Sequence, residues 1–171
     1  MSQTMRYDLA DIESGEFPHL DAFMNTLVAQ FYVEFLQQGG GKPHVVFHIN
    51  SSQPIRTRTD DGDIVEVKGC LIGVDYTGPG LKGTFTVKLI DFQTSSTSAR
   101  AAFQFPMRNT QLRVFDLIAI LRGQGRGFPS EHQSDLTRFD FVEANVRGEL
   151  DGCRDAVSQW MIRLHALNVV G

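Results

Sequence analysis

The spacing of apolar residues changes along the chain, and the first clear pattern is helical. Between residues 17 and 41 apolar positions recur at a period of about 3.6, which predicts an amphipathic helix with one broad apolar face. Pro18 suits its first turn, and residues 39–41, all glycine, would end it. The face is made by Leu20, Phe23, Met24, Leu27, Val28, Phe31, Phe35 and Leu36. Such a face most often covers a sheet.

From residue 42 the apolar period changes to two, which is typical of strands. The segment HVVFHINSS alternates two sets of side chains: Val45, Phe47 and Ile49 on one face, and His44, Val46, His48 and Asn50 on the other. Further strands are predicted for PIRTRT, DIVEVKGCLIGVDYTG, TFTVKLIDFQ and STSARAAFQFPM. Because the connections are too short for crossover helices, the strands should form an antiparallel meander.

Two more helices are predicted in the C-terminal half. One runs from about Thr110 to Leu121 with Asn109 as its N-cap, and a glycine-rich loop follows it. RFDFVEANV is ambiguous between strand and helix. The last helix begins near Asp151, and its apolar face carries Cys153, Val157, Trp160, Met161, Leu164 and Leu167. The predicted fold class is α+β: an antiparallel meander sheet packed by an N-terminal helix, a middle helix and a C-terminal helix.

Chain length, composition, net charge and cysteine count limit the kinds of protein this can be and the kinds of partner it can bind. The chain has 171 residues, of which 42% are hydrophobic, so it can bury a core without metals or disulfides. Residues 1–16 are polar, acidic and aperiodic, which predicts a flexible N-terminal arm before a single α+β domain over 17–171. The net charge of −4 argues against nucleic acid as a partner. Two cysteines and the absence of a signal peptide or membrane span predict a cytoplasmic protein with free thiols.

Cys153 is a candidate nucleophile because it opens the last helix. The N-terminus of a helix carries partial positive charge that lowers the pKa of a thiol, and Arg154 adds to that charge. Gly152 lets a substrate approach closely and bares amide donors for an oxyanion. Cys153 also lies on an apolar face, where a free cysteine commonly packs as a small hydrophobic residue. The sequence leaves both interpretations open.

A nucleophilic cysteine needs a base, which is usually histidine. His44 and His48 share a strand face with Asn50, and either could meet a helix N-terminus packed there. They are about 13 Å apart along the strand, too far to bind one metal directly. A core histidine with one satisfied nitrogen is the alternative for each. The remaining histidines are simplest as surface, loop or helix-end residues: His19, His132 and His165.

Two other motifs favour structural interpretations. LRGQGRGFPSE, with Arg122 and Arg126, suggests phosphate binding, but its glycines follow a helix instead of preceding one. A helix C-cap and a loop over residues 122–135 that is long enough to act as a lid fit better. The acidic turn over residues 60–63 lacks the ligand spacing of a calcium loop, which indicates a hairpin tip.

The ordered motifs PHVVFHI, FDLIAILRGQGRGF, RFDF and GCRDAVSQWMIRLHALNVVG resemble a group of uncharacterised small proteins from filamentous fungi. Those proteins pair a strand histidine with a C-terminal Gly-Cys-Arg helix. The order of a strand histidine and a later helix-opening cysteine is also similar to circularly permuted papain-like Cys–His enzymes. That resemblance implies Cys153 as the nucleophile, His44 as the base and Asn50 as an orienting residue.

The leading hypothesis is a small intracellular Cys–His enzyme that hydrolyses or transfers an acyl group from an amide, ester or thioester. We expect a small-molecule or peptide substrate and no cofactor, metal, nucleic acid or membrane partner. The predicted substrate-binding residues are His48, Gly152, Arg154 and Arg126. One alternative is a non-catalytic binding or assembly protein that uses the first helix or the sheet face. Another is a tailoring enzyme or isomerase that uses the histidine face without the thiol.

Overall fold

The fold is an antiparallel sheet with its main helices packed on one face. The computed structural model describes residues 5–37, 44–59, 61–76, 82–124, 133–140 and 152–171. In chain order the elements are β1 (Arg6–Asp8), α1 (Leu9–Ser14), α2 (Pro18–Met24), β2 (Val28–Leu36), β3 (His44–Arg58), β4 (Ile64–Tyr76), β5 (Lys82–Ile90), β6 (Ala99–Phe105), α3 (Val114–Leu121), β7 (Phe139–Asp140) and α4 (Cys153–Ala166). The predicted α+β class is confirmed.

The sheet is a meander to which one strand is added at each edge. Its order is β1-β5-β4-β3-β2-β6, with the short β7 also paired to β5, and all the pairs are antiparallel. The β3–β4 hairpin closes where the acidic turn was predicted, with the Thr59 amide donating to the Asp63 carbonyl at 2.8 Å. Gly62 adopts a φ of +89° there, a conformation that favours glycine. Residues 60 and 77–81 lie outside the described part of the chain.

Alternation along the central strands gives the sheet two different faces. One face packs against the helices and holds the main core, in which Phe47, Ile72, Phe85 and Val87 are fully buried. The other face carries a smaller cluster of Val46, Leu71 and Ile90, with Leu36 and Phe92 packed against it. The period of two seen in the sequence therefore separates two apolar layers, because the central strands are covered on both sides.

Trp160 is the side chain through which α4 is fixed to the sheet. Its ring centroid lies 5.3 Å from that of Phe47 and 5.7 Å from that of Phe85. The indole Nε1 donates a hydrogen bond of 2.7 Å to the carbonyl of Leu136, so the buried ring leaves no polar atom unpaired. This packing fixes both the rotation of α4 and its position over β3 and β5.

The prediction of a first helix is wrong over the second half of the segment. Helix α2 ends at Met24, and Val28–Leu36 is strand β2, which pairs with both β3 and β6. The segment VAQFYVEFL is rich in β-branched and aromatic residues, which favour a strand. Since β2 lies inside the sheet, both Val33 and its polar neighbour Glu34 are buried, so burial does not alternate there as polarity does. The glycines expected to end this helix lie outside the described residues.

Within the arm that was expected to be flexible, the described residues, 5–16, form a strand and a helix over 6–14. Strand β1 pairs with β5, and its central residue Tyr7 is buried. Asp8 then caps α1, because its carboxylate accepts from the amide of Asp11 at 3.0 Å and its own amide donates to the Asp11 carboxylate at 2.8 Å. Two of the acidic residues that suggested a loose arm, Asp8 and Asp11, are thus helix-capping residues.

Two predicted helix starts are displaced toward the C-terminus. Helix α3 begins at Val114, four residues after the expected Thr110, because the Asn109 side chain accepts from the amide of Gln111 in a turn instead of capping the helix. Helix α4 begins at Cys153 with Gly152 at the N-cap, whereas the expected cap, Asp151, lies outside the described residues.

Two smaller expectations are also resolved. Phe139–Asp140 is a strand, which settles the start of the ambiguous RFDFVEANV segment, and the residues after 140 are not described. Gly123 follows α3 with a φ of +66°, as predicted for a helix C-cap. None of the described helices combines the length and hydrophobicity needed to cross a bilayer.

A buried arginine joins α4 to the end of α3. Arg163 is only 5% exposed, and its Nη1 donates to the carbonyls of Leu121 and Ser134 at 3.0 and 2.5 Å. A longer bond of 3.4 Å reaches the carbonyl of Ile120. These carbonyls include the last ones of α3, where the helix dipole favours a positive charge. One side chain therefore satisfies the buried end of α3.

We expect Arg163→Ala to lower the free energy of unfolding by about 3 kcal/mol, because it leaves buried carbonyls without a donor. Urea denaturation followed by circular dichroism measures the change. The matched control is Arg56→Ala, since that side chain is 81% exposed and should shift stability by less than about 0.5 kcal/mol. Equal losses in the two variants would contradict a structural role for Arg163.

Candidate functional site

Three chemically complementary side chains meet where β3 begins. Cys153 is the first residue of α4, His44 is the first residue of β3, and Asp75 lies next to the last residue of β4. Because β3 and β4 are antiparallel neighbours, the start of one lies beside the end of the other. Packing of α4 across both strands brings its N-terminus to the same end of the sheet.

The imidazole of His44 lies between a carboxylate and a thiol. Its Nε2 is 3.3 Å from Oδ1 of Asp75, and the ring also shares a side-chain hydrogen bond with Cys153. The second carboxylate oxygen of Asp75 is 2.5 Å from Nη2 of Arg6. The His44 side chain is 13% exposed, so this chain of contacts is largely shielded but still open to solvent on one side.

Main-chain amides surround the Cys153 sulfur. Sγ accepts a hydrogen bond of 3.4 Å from the amide of Val45 and a second one from the amide of Arg154. First-turn amides have no acceptor within a helix, and together they carry the positive end of the helix dipole. A thiolate at this position is therefore stabilised by two fixed donors in addition to the imidazole.

These contacts shift the pKa values of His44, Cys153 and Asp75 in the directions that favour their charged forms. Burial favours neutral His44, but the hydrogen bonds and charges of Asp75 and Cys153 outweigh it and raise the histidine pKa to about 9. Burial also favours the neutral thiol of Cys153, but the bond to His44 and the amide of Val45 prevail and lower its pKa. The bond to His44 lowers the pKa of Asp75, and burial opposes this shift. At a given pH the thiolate of Cys153, the imidazolium of His44 and the carboxylate of Asp75 are therefore all more populated than in the free side chains.

A strand glycine leaves room for the imidazole. A Cβ at Gly73 would lie 3.4 Å from Nε2 of His44 and 3.1 Å from Cγ1 of Val46, both tight contacts. Glycine inside a strand often marks a close approach of this kind. Gly73 and Asp75 are the site residues that the sequence interpretation missed. Their signal was a glycine and an aspartate near the end of a strand that otherwise reads as apolar.

His48 and Asn50, which share the strand with His44, belong to a different network. His48 is fully buried, with Nδ1 2.7 Å from Oε1 of Glu34 and Nε2 2.9 Å from Oδ1 of Asn50. The amide nitrogen of Asn50 donates to Gln30 and to the carbonyl of Gln93, so its oxygen faces the ring. Nε2 of His48 therefore carries a proton.

This network corrects two expected roles. Asn50 does not orient His44, because the two are six positions apart along β3, a distance of about 20 Å. The carboxylate at His44 is that of Asp75 instead. His48 is enclosed in the core, away from the thiol, so it is not placed to contact a substrate of Cys153. The shared face predicted for His44 and His48 did not imply a shared site.

Of the remaining predicted binding residues, two lie at the start of α4 and one lies outside the described residues. Gly152 is the N-cap of α4 with a φ of −146°, so its position does not require glycine. Arg154 is exposed beside the sulfur. Arg126 lies outside the described residues. Arg122, the other arginine of the glycine-rich segment, pairs with Glu13 at 2.5 Å and lies 4.0 Å from Asp135, which does not fit an anion site.

An apolar groove of about 380 Å³ runs beside the first turns of α4. One wall is the helix, and the other is formed by side chains of β2, β3 and β6. It is lined by Val33, Phe35, Val45, Phe103, Phe105, Arg154, Val157, Ser158, Met161 and Ile162. Val45 and Arg154, whose amides interact with the sulfur, are among these residues, so the groove lies next to Cys153, which does not itself line it.

Comparisons with known proteins do not assign this site to a family or a function. No protein-family model, curated protein or solved structure matches the chain. The resemblances to the fungal group and to the permuted papain-like enzymes therefore stay predictions. Among the described residues, no group of three or more His, Cys, Asp or Glu side chains is arranged to hold a metal ion. The geometry around Cys153 is therefore the feature of the molecule that indicates a function.

We expect Cys153 to react with iodoacetamide at pH 6 at least about tenfold faster than a free peptide thiol, because its pKa is lowered. Intact-mass and peptide mass spectrometry measure the rate at each cysteine. Cys70 is an internal control: it is fully buried, burial raises its pKa, and it should stay unlabelled in the folded protein. A Cys153 rate equal to that of the peptide would show that the thiol is not activated.

Asp75→Asn should lower the pKa of His44 from about 9 toward 6.5, because the carboxylate that favours the imidazolium is lost. The thiol should then ionise less readily, so the alkylation profile of Cys153 moves to higher pH. Nuclear magnetic resonance titration of the His44 ring follows the first change directly. Asp63→Asn, an exposed aspartate at the hairpin tip, is the control and should leave both curves in place.

Proposed function

We propose that this protein is a cytoplasmic thiol-dependent acyl hydrolase or acyltransferase that acts on a small amide, ester or thioester. The single observation that supports the proposal is the contact series Cys153–His44–Asp75, with the sulfur at a helix start and bonded by two backbone amides. A nucleophile, a base and a group that orients the base are the parts that covalent acyl transfer requires.

In the first half of the reaction, the thiolate of Cys153 attacks the substrate carbonyl carbon. A bond forms between Sγ and carbon, and the carbonyl π electrons move to oxygen. When this tetrahedral intermediate collapses, the bond to the leaving group breaks, and the imidazolium of His44 gives the leaving amine, alcohol or thiol its proton. The products of this half-reaction are a thioester on Cys153 and a neutral His44.

In the second half, neutral His44 takes a proton from water or from an acceptor hydroxyl, amine or thiol. The resulting nucleophile attacks the thioester, and collapse expels the Cys153 thiolate while His44 remains protonated. The resting ion pair is thereby restored. Water yields a carboxylic acid, and another acceptor yields the transferred acyl product. Asp75 keeps the ring oriented and charged through both steps.

The negatively charged oxygen of the tetrahedral intermediate needs a hydrogen-bond donor near the sulfur. The amide of Arg154 is bonded to Sγ, and the amide of Cys153 belongs to the same first turn, where intrahelical acceptors are lacking. We assign the Cys153 amide as an oxyanion donor, because it lies in the first turn of the helix that also carries the nucleophilic sulfur.

The alternative functions account less well for this geometry. Acid–base chemistry by His44, His48 and Asn50 without the thiol would need the three side chains to converge, and two of them are enclosed with Glu34. A purely structural cysteine would be expected to resemble Cys70, whose thiol is buried and whose pKa is raised. Cys153 is partly exposed and its pKa moves the other way.

Cys153→Ala should abolish turnover of p-nitrophenyl acetate, and His44→Gln should reduce it about 10²- to 10⁴-fold. Asp75→Asn should cause a smaller loss and shift the pH profile, because it acts through His44. Nitrophenolate release and the mass of an acetylated Cys153 are the measurements. The controls are Cys70→Ala and His165→Gln, a buried thiol and an exposed histidine that lie outside the site.

Full turnover by Cys153→Ala would overturn the proposal and favour a non-catalytic protein. Loss in His44→Gln alone would instead favour acid–base chemistry without the thiol. Circular dichroism and unfolding midpoints of each variant separate loss of activity from loss of fold.

The pH dependence of kcat/KM should have a plateau with two limits. As pH falls through the lowered pKa of Cys153, the thiolate is protonated and the rate falls. As pH rises through about 9, His44 loses the proton that the leaving group needs, and the rate falls again. An activity that kept rising with pH well above 9 would show that the imidazolium is not required.

A further inference from the structure

The apolar groove beside α4 lies next to the candidate nucleophile. Val45 lines the groove, and its amide is 3.4 Å from Sγ of Cys153. Arg154 also lines the groove and follows Cys153 directly. A molecule that fills the groove therefore contacts the two residues on either side of the sulfur.

The walls of the groove are almost entirely apolar. Phe103 and Phe105 of β6 stand opposite Val157, Met161 and Ile162 of α4. Phe103 is 56% exposed and Ile162 is 70% exposed, so both present hydrophobic surface to an occupant. Burial of these side chains against an apolar ligand is favourable in proportion to the area removed from water.

From these observations we propose that the groove binds the hydrocarbon chain of the acyl group, so that the preferred substrates are esters or thioesters of medium-length fatty acids. This inference rests on the proposed function. The helix wall extends from Arg154 to Ile162, about 12 Å along the axis, which matches an extended chain of about eight to ten carbons. The volume of about 380 Å³ also falls in the range of small-ligand sites, roughly 300–1,000 Å³.

The groove is less suited to a second copy of the chain. A stable protein interface buries about 1,200–2,000 Å² in total. Here the exposed large hydrophobic side chains along the groove are Phe103 and Ile162, whereas the other two among the described residues, Ile64 and Phe115, do not line it. A small apolar groove next to Cys153 fits a hydrocarbon chain better than it fits a large partner surface.

In the acylation step of the test, Sγ bonds to the acyl carbon, and the bond from that carbon to p-nitrophenolate breaks. The probes are p-nitrophenyl acetate, butyrate, octanoate and dodecanoate, all kept below their micelle concentrations. The acylation rate constant from stopped-flow nitrophenolate release should rise by up to about fourfold per methylene. It should level off by dodecanoate, where the chain exceeds the length of the groove.

Two groove variants test the assignment: Phe103→Thr suits a strand, and Ile162→Gln suits a helix. Each should flatten the dependence on chain length, because long acyl chains lose apolar contacts in the groove; the rate of acetyl transfer by the same variant is the reference for each chain. Ile64→Thr and Phe115→Gln make the same kinds of change at exposed apolar positions outside the groove and should leave the dependence intact.

The outcomes separate the inference from the function on which it depends. If Cys153 is acylated by every ester at the same rate, or if the groove variants behave like their controls, the inference falls and the acyl-transfer function stands. If no ester acylates Cys153, the proposed function falls and the inference with it. Sedimentation velocity adds a further arm: a wild-type dimer that Phe103→Thr or Ile162→Gln dissociates would overturn the inference in favour of self-association.

Discussion

The packing of Trp160 between Phe47 and Phe85 is the contact on which the candidate site depends. It fixes α4 against the sheet, and Cys153 lies seven residues earlier on the same helix, two turns away on the same side. The core therefore sets the position of the sulfur, and the strands set the positions of its partners. A site built on the ends of regular elements is held more rigidly than one built on loops.

The architecture was largely predictable, because helix and strand periods are local. The meander over β3, β4 and β5, the hairpin tip at Gly62, and the cysteine at the start of the last helix all follow from spacing and turn residues. The assignment of β2 as helix failed for a physical reason. Val28, Phe31 and Phe35 are spaced by three and four residues, which also fits a helical stripe. The alternation of Phe31, Val33 and Phe35 with polar neighbours fits a strand, and pairing with β3 and β6 decides between the two.

The site was only half predictable, because its third member depends on strand register. Counted from the hairpin tip, where Arg58 pairs with Ile64, residue 78 would stand opposite His44. An irregularity between Asn50 and Ile55 moves the pairing by three residues, so that Phe47 pairs with Ile72 and Asp75 reaches His44. Sequence spacing alone does not reveal such a shift. Side chains on one strand face also end in separate networks, as His44 and His48 show.

The strand that forms the outer wall of the groove has a further property. Among the described strands β6 ends the sheet, so β2 is its only hydrogen-bonded strand neighbour. Outward movement of β6 therefore strains a single ladder and leaves the central pairs that hold His44 and Asp75 intact. The width of the groove can thus change while the contacts among Cys153, His44 and Asp75 stay in place.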